Sequence, residues 1–158
     1  MTHLTSSRLA MGLGLWKWVE QLALFNCKKC QFSSAIEKKN ASIFKSLFEN
    51  EPNISIQQET EISSWFGFSL LLTNKLSTFR DDLVNILMAN NIECRPIVAG
   101  NFTKNPVIKL LDYDICGELS VSDEIDKNGF FVGNDFRDLK NEIHYLHKLI
   151  KVFEKNVL

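Results

Sequence analysis

The hydrophobic pattern of the chain changes character near residue 60. Upstream, apolar residues recur at helical spacing. Over residues 8–25, Leu9, Leu13, Trp16 and Glu20 share one stripe, with Leu15, Val19 and Leu22 on the adjoining one. So broad an apolar surface predicts a helix that is buried or sits at a subunit contact. Gly12 and Gly14 lie inside it. Glycine weakens a helix, so the pair points to close approach by another backbone. A second helix is predicted from Gln31 to Glu49, where Phe32, Ile36, Ile43 and Leu47 repeat with Phe44 and Phe48 beside them. Pro52 follows Asn50 and Glu51 and stops it, because proline disfavours the helical conformation in the residue before it. The polar stretch 50–61 reads as a connection.

Downstream the elements are shorter. Ser63 to Thr73 is aromatic and aliphatic and too short for a buried helix, so it predicts a strand. Thr78 is placed to cap a helix, with Asp81 in a capping-box-like position and Phe79, Leu83, Ile86 and Leu87 on the buried face. Asn90 and Asn91 end it, since asparagine tolerates the left-handed conformation. Ile92 to Val98 predicts a strand that Pro96 confines to an edge. Residues 99–127 read as irregular and polar. Gly129 to Gly133 predicts a short buried strand, and a last helix begins near Asp135. Its stripe is Leu139, Ile143, Leu146, Ile150, Phe153 and Val157. This order predicts an α+β fold, a short sheet with helices on one face. A helical segment at residues 1–50 precedes a small α+β domain at 51–158.

Composition narrows the classes. The 158 residues are 45% hydrophobic and 23% charged, as in a globular chain. The net charge is -1 and there is no basic stripe, so no nucleic-acid partner is expected. Lys28-Lys29 and Lys38-Lys39 read as solvated faces. The apolar run Leu9 to Trp16 follows Arg8 but lacks a small-residue cleavage site, and Lys17 and Glu20 interrupt any longer apolar span. The expectation is a cytoplasmic chain with no membrane partner. Cys27 and Cys30 have the spacing of a zinc half-site, but Cys94 and Cys116 do not form its second half, so free thiols are expected.

Candidate chemistry is sparse. His144 and His147 lie three apart on the last helix without a third ligand, and read as surface histidines. No nucleophile elbow accompanies the serines. The carboxylate pairs Asp81-Asp82, Asp112 and Asp114, and Asp123-Glu124 fit capping and turns. The loop Arg95 to Pro106 differs, because it gathers a guanidinium, amides, a hydroxyl and an ammonium beside Gly100. Such a loop offers donors to an anionic or hydroxylated ligand, and equally fits a polar connection.

That loop also carries a resemblance. Asn90 to Lys109 (NNIECRPIVAGNFTKNPVIK), preceded by SSWFGFSLLL and followed by GELSVSDEIDKNGFFVGN, resembles the C-terminal domain of the DegT/DnrJ/EryC1/StrS family. It is most similar to the branch of nucleotide-sugar 3-dehydratases and related aminotransferases of deoxysugar and lipopolysaccharide biosynthesis. The match extends over residues 62–134. Upstream, Thr5 to Leu13 resembles the family's Thr-Asp-x-Gln-Ala-Ala-x-Gly-Leu segment, with Ser6 in place of the aspartate and Arg8 in place of the glutamine.

The resemblance implies the small C-terminal domain of the fold-type-I pyridoxal-phosphate (PLP) transferase architecture. It implies PLP as cofactor, with the Schiff-base lysine or dehydratase histidine in a large domain upstream of the Thr5 segment, so that this chain would not hold the cofactor alone. Carried over by position, Arg95, Asn101 and Thr103 would bind substrate, supported by Trp65 and Phe66, and no catalytic residue is assigned. Both aromatics are also expected to fill core positions, because alternate strand residues do. Three functions follow: part of a PLP-dependent nucleotide-sugar aminotransferase or 3-dehydratase, a nucleotide-sugar-binding or subunit-interaction module, or an inert remnant. The partners implied are a large-domain polypeptide or paralogous subunit, a nucleotide sugar, and a second copy held through residues 9–24.

Overall fold

A computed structural model describes residues 35–158 apart from 62 and 99. The expected helix at 8–25 with Gly12 and Gly14, the Cys27–Cys30 pair, the Thr5–Leu13 match, Phe32 and the self-associating stripe 9–24 lie outside the described residues.

Helix α1 occupies residues 35–48 and buries Asn40, Ala41, Phe44 and Phe48. The predicted face holds at Phe44 and Phe48, while Ile36, Ile43 and Leu47 flank it half-buried. The connection then contains a strand, β1 (Ile54–Ile56). Three residues among polar neighbours carry no strand pattern of their own, but strand β2 (Gly67–Leu72) offers them an edge, Ile54 facing Leu72 and Ile56 facing Leu70. Strand β2 covers the second half of the predicted Ser63–Thr73 strand. Helix α2 (Arg80–Ala89) begins one residue beyond Phe79, and neither Thr78 nor Phe79 bonds its first turn through a side chain. The capping box is therefore not formed. Leu83 and Leu87 are buried in α2, but Ile86 is exposed. Asn91 takes a φ of 62°, the left-handed exit expected there.

Strand β3 is only Cys94–Arg95, and it is an edge. Pro96 cannot donate to the ladder, which fits so short a strand. Residues 99–127, expected to be irregular, contain 3-10 turns at Phe102–Lys104 and Pro106–Leu110 and then helix α3 (Ser120–Asn128). Helix α3 has few apolar residues and runs straight into strand β4 (Gly129–Gly133). Gly129 permits that junction, since a Cβ there would lie 2.5 Å from the Ile125 carbonyl oxygen and 2.7 Å from Ile97. Helix α4 (Lys140–Val157) starts five residues later than expected and buries Ile143, Leu146, Ile150 and Phe153 as its stripe predicts.

The sheet is antiparallel, in the order β1-β2-β4-β3. Phe68 faces Val132 and Leu70 faces Phe130, so these four side chains share one face. They form one core with Phe44 and Phe48 of α1, Leu83 and Leu87 of α2, and the α4 stripe. Phe44 stacks on Phe68 with centroids 4.4 Å apart. Each such side chain contributes about 1.5–3 kcal/mol on burial. The α+β reading with helices on one face holds. The expected boundary at residue 50 falls between α1 and β1, which share this core.

A buried polar hub fixes one end of the sheet. Asn40, fully buried, donates to the carbonyl oxygens of Asp135 (3.3 Å) and Arg137 (2.8 Å) and to Asn134 Oδ1 (3.0 Å). Its own Oδ1 accepts from the Leu139 amide at 3.1 Å. Asn134 in turn donates to the carbonyl oxygens of Trp65 (2.6 Å) and Glu37 (3.0 Å). Among the described residues, no helix is long and apolar enough to cross a membrane.

Candidate functional site

Trp65 and Phe66 are adjacent and meet opposite fates. Trp65 has a φ of 56°, which a bulky residue rarely adopts. The bond from Asn134 to its carbonyl, and the bond from the Asn134 amide to Phe66 O at 3.0 Å, hold the chain in that bend. The indole turns inward to 3% exposure, while the Phe66 ring turns outward to 75%. The core expectation is met at Trp65 and overturned at Phe66.

Phe66 stands at the outer face of the sheet. Its ring lies 6.0 Å from that of Phe131, tilted by 60°. Phe131 covers Gly67, whose missing Cβ would sit 3.0 Å from that ring. Gly67 pairs across the strands with Gly133, and a Cβ on Gly133 would meet open space. Only the Gly133 half of the pair is bare, because Gly67 is buried beneath the Phe131 ring. Arg95 is the cross-strand partner of Phe131, so its side chain leaves on the same face. Glu93, two residues earlier, shares that side and accepts two bonds from the Arg95 guanidinium at 2.6 and 2.9 Å. Phe66, Phe131, Gly133, Glu93 and Arg95 line an open groove of about 560 Å³ that wraps the β3 edge and reaches Val132, Ile143 and Leu146 on the inner side. Asp135, Arg137 and Glu142 form its far rim. Arg137 pairs with Asp135, and its bond holds that carboxyl below the usual carboxylate range.

Asn101 and Thr103 belong to a different cluster. Asn101 is 5% exposed, and its Oδ1 accepts from the Thr103 amide (3.1 Å) and hydroxyl (2.7 Å). Its Nδ2 donates to Asp123 at 2.7 Å, tying the loop to α3. Lys104 closes the same tie, 2.6 Å from Asp123 and 3.4 Å from Asp126. The structure thus joins Arg95 with Phe66, joins Asn101 with Thr103, and sends Trp65 to the core. Phe131, Glu93, Gly67 and Gly133 were not singled out from sequence. The Gly-Phe-x-Val-Gly run was the available signal, but only the β2–β4 register reveals the glycine pair.

Lys104, the lysine of this cluster, does not fit a Schiff base to PLP. A Schiff-base lysine needs a depressed pKa. The hydrogen bond from Lys104 to Asp123 raises that of Lys104 instead. His144 is turned to the Lys140 carbonyl, and His147 to Glu51. Burial lifts the Cys94 thiol to about 11, which makes it a poor nucleophile. No cluster of metal-ligating side chains occurs among the described residues.

No family model matches the chain. The GDP-4-keto-6-deoxy-D-mannose 3-dehydratase of Yersinia pseudotuberculosis is 48% identical over 134 residues, 84% of this chain and 33% of that enzyme. The solved E. coli GDP-4-keto-6-deoxy-D-mannose-3-dehydratase with bound hydrated PLP superposes with a TM-score of 0.73 at 42% identity, over 83% of this chain and 33% of that one. Helicobacter pylori PseC, an aminotransferase involved in the biosynthesis of pseudoaminic acid, shares the fold at 14% identity with a TM-score of 0.69, over 85% of this chain and 36% of PseC. The chain spans about a third of the length of the curated dehydratases it matches, their C-terminal part.

Proposed function

We propose, from the premise that this chain is a homologue of the PLP-dependent GDP-sugar 3-dehydratases over one third of their length, that it supplies the substrate-side C-terminal domain of such an enzyme in the cytoplasm and is not catalytic alone. The observation that carries this reading is the 48% identity to a dehydratase over 84% of the chain. Where PLP is bound by the remaining two thirds of the fold, it supplies the electron sink for chemistry at the sugar carbon. This chain's part is to bind and orient the nucleotide sugar. Arg95 and Phe66 act from the open groove. Asn101 and Thr103 act from the loop that Lys104, Asp123 and α3 hold in shape. The partner is a polypeptide carrying the missing two thirds, or a paralogous subunit, with the stripe at 9–24 as the contact between copies.

The test is reconstitution. The 158-residue chain is mixed with the Yersinia enzyme truncated before the matching segment, and PLP is added. The expected result is a co-eluting complex that consumes GDP-4-keto-6-deoxymannose, whereas neither part does so alone. No complex and no turnover at high micromolar concentrations of both parts would sink the reading.

A further inference from the structure

From the end of the second 3-10 turn to the approach of α3, residues 109–118 are all exposed. Their sequence does not suit solvent. Leu111, Tyr113 and Ile115 fall on alternate positions, with Asp112 and Asp114 between them. That is the period-2 pattern of a strand with one apolar and one polar side. Leu111 already has extended backbone, with φ -110° and ψ 148°, and residues 112–116 enter no helix or turn. Gly117, at a φ of 76°, ends the stretch and bends it toward α3.

This strand has no sheet. Among the described residues, the backbone groups of Asp112 to Gly117 make no backbone hydrogen bond. The stretch is held at its ends and bare between them. Ile108, buried, fixes its start, and the bonds of Asn101 and Lys104 to Asp123 tie the loop before it to α3. Leu111, Tyr113 and Ile115 are all exposed, and Leu110 beside them is 83% exposed. An open strand with an apolar side is a liability that folded chains cover, and contiguous apolar surface marks an interaction site. Two observations choose the occupant. Two copies that brought their apolar rows together would also set their aspartates opposite each other, and like charges so placed destabilise a pair. The chain also matches only 33% of the length of the Yersinia dehydratase, so most of that fold has to come from another polypeptide.

We propose that residues 111–115 add as a strand to the polypeptide carrying the remaining two thirds of the dehydratase fold, with Leu111, Tyr113 and Ile115 set into its apolar surface and Asp112 and Asp114 left to water. The proposal rests on the split-enzyme reading and deepens it by naming the surface of contact. Once the apolar row is covered, the amides beside it lose water, and buried N–H and C=O groups are paired almost without exception. Strand addition supplies those pairs from the partner's backbone, while alternate side chains fill its pockets.

The test uses the full chain and the truncated Yersinia enzyme of the reconstitution. Hydrogen exchange is followed by mass spectrometry in the chain alone and in the complex. The amides of Asp112 to Ile115 are expected to exchange as in an unfolded peptide in the chain alone, and to slow by about a hundredfold or more in the complex. Tyr113→Asn combined with Ile115→Asn should weaken the complex by about a hundredfold, each side chain counting as one buried anchor at about tenfold. Asp112→Asn, on the opposite side of the strand, and Val152→Asn, at an exposed apolar position of α4, should leave the affinity within about threefold. Circular dichroism and thermal melting check that each variant folds. A complex whose strand amides stay unprotected, or that the double variant leaves intact, overturns the added strand and leaves the split-enzyme reading standing. No complex at all rejects that reading and the occupant with it. A dimer of the chain alone that the double variant abolishes overturns the choice of occupant in favour of a second copy.

Discussion

The two faces of this sheet are built from alternate residues of the same strands, yet they carry different tasks. On the inner face, Phe68, Leu70, Leu72, Phe130 and Val132 lie under three helices. On the outer face stand Ser69, Leu71 and Phe131, half-exposed, with the Gly67–Gly133 pair and the exposed Phe66 at one end. Stability rests on the first set, because a domain gains mostly from apolar area removed from water. The second set is free to be shaped for recognition. The large rings Phe68 and Phe131 sit on neighbouring strands, which makes them a matched pair for testing that division.

The largest effect is expected at Phe68. It is 1% exposed and stacked on Phe44. Phe68→Ala should cost about 3–5 kcal/mol, the usual range for emptying a packed aromatic site. Phe131→Ala should cost about 1 kcal/mol, since its ring is only partly buried. Urea unfolding of both variants measures the difference. Equal losses would mean that the outer face is as important to the fold as the inner one.

Much of the inner face was legible in the sequence, and the outer face was not. Helix α4 repeats its apolar residues by fours and threes through five turns, and no other period accommodates them. The five-residue run at Gly129 was bounded by its own glycines. Strand β1 was invisible because Ile54 and Ile56 have no local pattern, and only β2 makes them a strand. Helix α3 was invisible because it is polar, and it is anchored through Lys104 and Asn101 instead of by an apolar stripe. The capping box at Thr78 failed for a different reason. The helix begins after Phe79, whose side chain is half-buried against the core. In the site, Arg95 and Phe66 could be named from motif resemblance. Their joining could not, since it depends on a bend at Trp65 held by Asn134, 69 residues away.

A smaller effect concerns the inner side of the comparison, where α4 is fastened to the α1–β1 turn by charge. Glu51 accepts from His147 Nε2 at 2.7 Å, with the ring taken as its donor there, and from Lys151 at 2.8 Å. Lys151 also donates to Glu154 at 2.6 Å, and Asn53 to Glu154 at 2.5 Å. Burial works to raise the Glu51 pKa, but the bonds from Lys151 and His147 outweigh it and leave it lowered. Glu154 is lowered too, first by its bond from Lys151. A depressed carboxylate adds stability at pH above its unfolded value and loses it as pH falls through the folded one. The melting temperature should therefore fall between about pH 5 and 3. Lys151 is raised by its bonds to Glu154 and Glu51, so its share is lost only on the alkaline side. Glu51→Gln should lower the melting temperature by a few degrees at neutral pH and flatten the acid limb. An unchanged acid limb would show that the clasp contributes nothing measurable.

The smallest effect on stability is expected at the exposed end of the outer face. Gly133 ends β4 and is exposed. Its backbone is outside the left-handed region, and a Cβ there meets nothing within 4 Å. Valine suits a strand better than glycine, which loses more backbone freedom on folding. Gly133→Val should therefore change stability by less than about 0.5 kcal/mol, or raise it slightly. A glycine that strengthens the fold when replaced must be accounted for by something other than the fold. If the variant unfolds at the wild-type urea midpoint or above it, the outer face is separated from the inner one at this end. If it unfolds early, the glycine pair serves the sheet itself, and the division between the two faces does not hold at this end.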